Sequence, residues 1–165
     1  MRRLWLLLCA LALGCGYRLA AGDLRDAGSI AIVTPKNDAR EPGYEQVMAD
    51  ALRRELLRRA GAHLAENPAH ADLVVSGRII QVDTAPRAFS SVVLALEYEA
   101  NVSVELRARR GEQDVVPAGR LSESERYLAS ADIEAQRKNR DEALRRVAAV
   151  LAARFLDQVG DQVTR

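Results

Sequence analysis

The order of apolar and polar positions divides the chain into a short leader and one domain. Leu4 to Leu13 is an unbroken apolar run of ten, preceded by Met1-Arg2-Arg3. Ser29-Ile30-Ala31-Ile32-Val33 is a β-branched run that predicts a buried strand. Thr34-Pro35-Lys36-Asn37-Asp38 ends it, because proline cannot donate to a ladder and Asn-Asp favours turns. Tyr44, Val47, Met48, Ala51, Leu52 and Leu56 then fall at helical spacing, predicting a helix from about Pro42 to Gly61. Asp72 to Val82 predicts a second strand with a bulge or bend at Gly77, followed by a turn-rich stretch from Asp83 to Ser91. From Leu96 to Ala108 apolar residues alternate with Glu97, Glu99, Asn101, Ser103, Glu105 and Arg107, so this strand has one buried and one wet face. Arg109-Arg110-Gly111-Glu112 predicts the next turn, and Gly119 to Leu128 a return strand. A second amphipathic helix is predicted from Asp132 to about Gln162, with Leu144, Val147, Ala148, Leu151 and Phe155 on its stripe. Its length predicts a break or fraying near its start. The fold expected is α+β: a mostly antiparallel four-stranded sheet with two helices packed on one face, in the order β-α-β-β-β-α.

The leader decides the expected compartment. Ten apolar residues are too few to span a hydrocarbon core of roughly 30 Å, which takes about 20 helical residues. A basic start, a short apolar run and small residues before a cleavage point describe an export signal over residues 1–14. Ala12-Leu13-Gly14-Cys15 resembles a bacterial lipobox, with Ala12 where leucine is usual. Cleavage would leave Cys15 as the only cysteine of the mature chain, since Cys9 lies in the leader. A lone thiol suits an oxidising compartment poorly, and alkylation by diacylglycerol plus an N-acyl chain would block it. Several chains on one residue anchor stably where a single chain holds only marginally. Residues 15–28 then read as a lipidated tether and 29–165 as a single α+β domain. Gly16 rather than aspartate after the cysteine points to the outer membrane, periplasmic side.

Charge and composition exclude more than they propose. Charged residues make up 28% and hydrophobic ones 48% of the chain, a globular balance. Loss of Arg2 and Arg3 with the leader moves the net charge from +1 to −1, which gives no global reason to bind nucleic acid. The two histidines, His63 and His70, lack the spacing of a helical metal pair, so no metal site is expected. No serine sits in a nucleophile elbow, and Glu97, Glu99 and Glu105 read as a solvated strand face. Arg53, Arg54, Arg58 and Arg59 read the same way on the first helix. Asn101-Val102-Ser103 matches a glycosylation sequon but lies mid-strand in a chain with a bacterial leader. No catalytic residues and no cofactor are expected, apart from the lipid on Cys15; the chain does not read as an enzyme.

Cys15-Gly16-Tyr17-Arg18-Leu19 after the lipobox resembles the mature start of the LptE family of lipopolysaccharide-assembly lipoproteins. Ile30-Ala31-Ile32, Asn37, Glu41-Pro42 before a helix, Ala71-Asp72-Leu73-Val74-Val75-Ser76-Gly77, Glu97-Tyr98 and Tyr127 follow that family's order. The resemblance implies a plug that sits in the outer-membrane barrel LptD, aids its assembly and binds lipopolysaccharide in transit. Phosphorylated sugar would then be met by arginine, whose planar fork pairs bidentately with phosphate. The candidates are Arg87 beside Phe89, and Arg107, Arg109 and Arg110 at the next hairpin. Activators of cell-wall synthases and CsgG-like secretion lipoproteins share the strand–helix–strand opening. Those activators usually carry a long disordered linker, whereas here the first strand follows a short segment that is not Pro/Gln-rich.

Overall fold

In a computed structural model, residues 24–59, 61–89 and 95–164 are described. Cys15, the leader and most of the tether therefore lie outside the described residues. A turn of 3-10 helix at Arg25–Ala27 leads into β1 (Ser29–Ile32), with Leu24 and Ala27 already in the core. The other elements are β2 (Lys36–Asn37), α1 (Tyr44–Arg58), β3 (His63–Ala65), β4 (Leu73–Phe89), β5 (Ala95–Arg110), β6 (Gln113–Leu128) and α2 (Ile133–Val163).

Among the described residues the sheet has six strands and is mixed, which corrects the expected four-stranded, mostly antiparallel one. Its order is β3-β1-β4-β5-β6, with β2 pairing β4 off that path. β1 runs parallel to both β3 and β4, and β2 runs parallel to β4. Parallel neighbours need a crossover, and α1 supplies it between β1 and β3. β2 and β3 are two and three residues long, too short to show any period. The β4–β5–β6 meander is antiparallel, as expected.

Strand β4 runs on to Phe89, through the stretch expected to be turns. Past Ile79 it pairs, among the described residues, only with β5, so the missing N–H of Pro86 on the other edge costs no ladder bond there. The register shifts on either side of Ala88 absorb the local irregularity. Gly77 is not the bulge: it pairs in register with Leu106, and the shift falls between Ile79 and Gln81. Gly77 instead permits close approach, since a Cβ there would strike the Glu105 carbonyl oxygen and Leu106. β6 starts at Gln113, earlier than Gly119, and takes in Pro117 because it too is an edge strand.

The alternation along β5 decides where the core lies. Ala100, Val102, Val104, Leu106 and Ala108 are buried in one cluster with Met48, Leu52 and Leu56 of α1 and Leu144, Val147, Leu151 and Phe155 of α2. Tyr44 anchors the helix pair, its hydroxyl donating to the Leu144 carbonyl at 3.2 Å. Burial pushes that phenol well above its ordinary pKa. α2 is one continuous helix, not the broken one expected. Asp132 caps it by accepting from Ala135 N–H at 2.8 Å, and Gln136 accepts from Ser130 N–H at 2.7 Å.

Arg59 also departs from expectation. Its side chain is only 6% exposed, not solvated, and spans Glu55, Asp157 and the Ala153 carbonyl, pinning the end of α1 to α2. Arg146 and Arg154 of α2 reach Glu125 and Glu123 of β6 at 2.7 and 2.6 Å. At the other end of the helix pair, Arg140 holds Glu41 through two bonds of 2.8 and 2.6 Å.

Candidate functional site

The polar face of the meander, away from the helices, carries charged groups at both of its ends. At the end formed by late β4 and early β5, Glu99 is 8% exposed, which corrects its expected solvated setting. Arg87 closes over it at 2.9 Å, and Arg126 lies at 3.6 Å from Glu99 and 3.9 Å from Glu97. Both arginines remain more than half exposed, so each keeps donors facing solvent. Directly opposed residues share a sheet face, and the register sets Leu128 opposite Glu97 and Phe89 opposite Ala95 on this same side. Leu128 is 70% and Phe89 54% exposed. Around the strand ends, Leu96, Tyr98 and Ala129–Ala131 line a cleft of about 460 Å³, and Ile133 is exposed beside it. Tyr98 and Tyr127 stack at 5.6 Å beneath. Two cationic forks next to unpaired apolar surface suit an amphiphile whose polar part is anionic.

The opposite end of the same face is polar. Val33, Thr34, Lys36, Ser76, Gly77, Arg78, Glu105, Arg107 and Ala118 line a cleft of about 320 Å³. Arg107 donates to Ser76 Oγ at 3.1 Å, and Arg78 lies between Glu105 at 3.3 Å and Asp38 at 3.8 Å.

The structure thus separates the four arginines singled out in the sequence. Arg87 belongs to the apolar end. Arg107 lies on the polar cleft, eight residues along β5 from Glu99, about 26 Å at strand rise. Arg109 is held by Glu112 at 2.7 Å and Asp114 at 3.7 Å, and Arg110 donates to the Asp26 carbonyl at 3.2 Å. Arg126 and the apolar rim went unread, because a cross-strand neighbour is visible only once the register is known. Among the described residues no group of His, Cys, Asp or Glu is arranged to hold a metal, and no helix is long and apolar enough to cross a membrane.

The fold superposes on several solved bacterial proteins. The chain superposes on lipoprotein B of Nitrosomonas europaea with a TM-score of 0.59 at 13% identity, covering 88% of this chain and 90% of that one. The hypothetical protein CT253 of Chlamydia trachomatis gives 0.56 at 13%, covering 80% and 97%. The rare lipoprotein B of Shewanella oneidensis gives 0.50 at 11%, covering 78% and 90%. These likenesses concern the fold. No curated protein matches the chain in sequence. The sequence profile of the LptE lipopolysaccharide-assembly family matches residues 27–159, nearly the whole described domain. The chain belongs to the LptE family, a family of envelope lipoproteins.

Proposed function

We propose that this protein is held at the periplasmic side of the outer membrane by lipid on Cys15, plugs the LptD barrel, assists its assembly and binds lipopolysaccharide in transit. Membership of the family supports the barrel partner. The observation that carries the ligand reading is the apolar end of the sheet. There Arg87 and Arg126 flank Glu99 beside exposed Phe89 and Leu128. Lipid A joins phosphorylated sugar to acyl chains, so it presents anionic and apolar chemistry side by side, as this surface does. Binding is by recognition alone: the arginine forks take phosphate oxygens, and Phe89 and Leu128 take hydrocarbon. Arg109, held within the hairpin by Glu112 and Asp114, and Arg110, bound to the Asp26 carbonyl, are assigned to shaping that end of the sheet.

A mild-detergent pull-down of the tagged lipoprotein, read by mass spectrometry, tests the partner. Recovery of a large outer-membrane barrel together with lipopolysaccharide is expected. Recovery of a peptidoglycan synthase without any barrel would reject the plug and favour the activator class.

A further inference from the structure

The polar cleft at the other end of the sheet has a composition and a position that the proposed function leaves unused. Lys36, Arg78 and Arg107 wall it, and Arg120 stands opposite Glu105 in the register. These four cations face two carboxylates, Asp38 and Glu105, and both of those are shared with Arg78. Lys36 and Arg120 make no ion pair among the described residues, and Arg107 has only the Ser76 hydroxyl. The cleft is therefore a local concentration of positive charge on a near-neutral protein. Its lining also includes Val33, Gly77, Ala118 and one carboxylate, Glu105, which Arg78 already holds at 3.3 Å.

Position supplies the second argument. Chain entry lies at this end: the carbonyl of Asp26, two residues past Leu24, accepts from Arg110 at the tip of β5. Arg107 is three residues from that tip, about 10 Å along the strand. Cys15 is nine residues before Leu24, so whatever their conformation those residues span at most about 32 Å. The polar cleft is within that reach of the anchor. Ala95, fifteen residues from the tip, is about 50 Å along the strand and is not.

We infer that the Lys36–Arg78–Arg107 cleft takes the phosphate of an anionic glycerophospholipid in the same leaflet that holds Cys15, and so fixes this end of the domain beside its anchor. The inference rests on the lipid-anchor part of the proposed function. Arginine forks and a free lysine are the groups that bind headgroup phosphate, and basic residues close to an anionic surface are drawn to it over about a Debye length.

The test uses the lipidated protein reconstituted into vesicles of phosphatidylcholine alone, or of phosphatidylcholine mixed with phosphatidylglycerol, and read by hydrogen exchange. Phosphatidylglycerol is expected to slow exchange at least severalfold in the peptides containing Lys36, Ser76–Arg78 and Glu105–Arg107, and not in those containing Phe89 or Leu128. The double variant Lys36→Glu with Arg107→Glu should abolish that protection while keeping its thermal midpoint, since neither side chain holds an ion pair in the fold. Equal protection in both vesicles, or protection that survives the double variant, would overturn the inference. So would protection by inorganic phosphate without vesicles, or by lipopolysaccharide in place of phosphatidylglycerol. A negative result with the barrel still recovered in pull-downs removes this inference alone. A Cys15 peptide carrying no lipid by mass spectrometry removes the anchor and this inference with it.

Discussion

Single residues set the constraints that the rest of the molecule obeys. Gly77 of β4 pairs with Leu106 of β5, and a methyl group there would meet backbone atoms of Glu105 and Leu106 that cannot turn aside. Gly77→Ala is expected to destabilise the fold by about 1–3 kcal/mol, the range for overpacking, seen as a lower denaturant midpoint at unchanged slope. Arg140 and Glu41 form a two-pronged, partly buried pair, and the hydrogen bond from Arg140 holds the Glu41 carboxyl below its ordinary range. A carboxylate whose folded pKa is lowered stabilises the fold fully above its unfolded value, about 4.3, and loses that contribution as the pH falls through the folded value. Arg140→Gln should therefore cost about 2 kcal/mol at neutral pH. The gap between variant and parent should close in strongly acidic solution, as urea titrations at several pH values can record. A gap that stays constant with pH would assign the effect to packing of the long side chain.

At the scale of elements, the amphipathic stripes were readable because they are long. Leu144, Val147, Ala148, Leu151 and Phe155 are all buried, and the alternation along β5 gave its wet and dry faces. Phe155 sits fully inside between the helices and the sheet, so Phe155→Ala should cost about 3–5 kcal/mol by chemical denaturation. What the sequence did not disclose is the part governed by pairing. β2 and β3 exist because β4 and β1 offer them ladder partners, and a run of two or three residues carries no period of its own. The extension of β4 through Pro86 was hidden for a related reason: whether proline is tolerated depends on which edge is free, and that is a property of the sheet. Arg59 shows the same limit on a helix. Its charge suggested solvent, but Asp157 and the Ala153 carbonyl, almost a hundred residues away, draw it inward. Asp132→Ala offers a clean check on the start of α2, with an expected loss of about 1 kcal/mol and greater hydrogen exchange confined to the first turn.

For the whole molecule, the meander is a rod with two unlike ends. The entry of the chain and a cationic cleft share one end, and arginines beside exposed apolar groups occupy the other. The four arginines marked in the sequence fall on both, because Arg87 lies where β4 hands over to β5 and the other three lie at the far end of β5. The sequence placed them at two successive connections; that these connections are a strand length apart, and which neighbours each arginine meets, came from the length and register of β5. The proposed function places lipopolysaccharide at the apolar end, away from the anchor. Its most direct test is photocrosslinking of the lipoprotein in growing cells. A photoreactive residue replaces Arg87 in one variant, Leu128 in a second and Arg109 in a third, and lipopolysaccharide is detected on the captured protein. Adducts at positions 87 and 128 with little at 109 are the predicted result. Capture at 109 with none at 87 and 128 would contradict it.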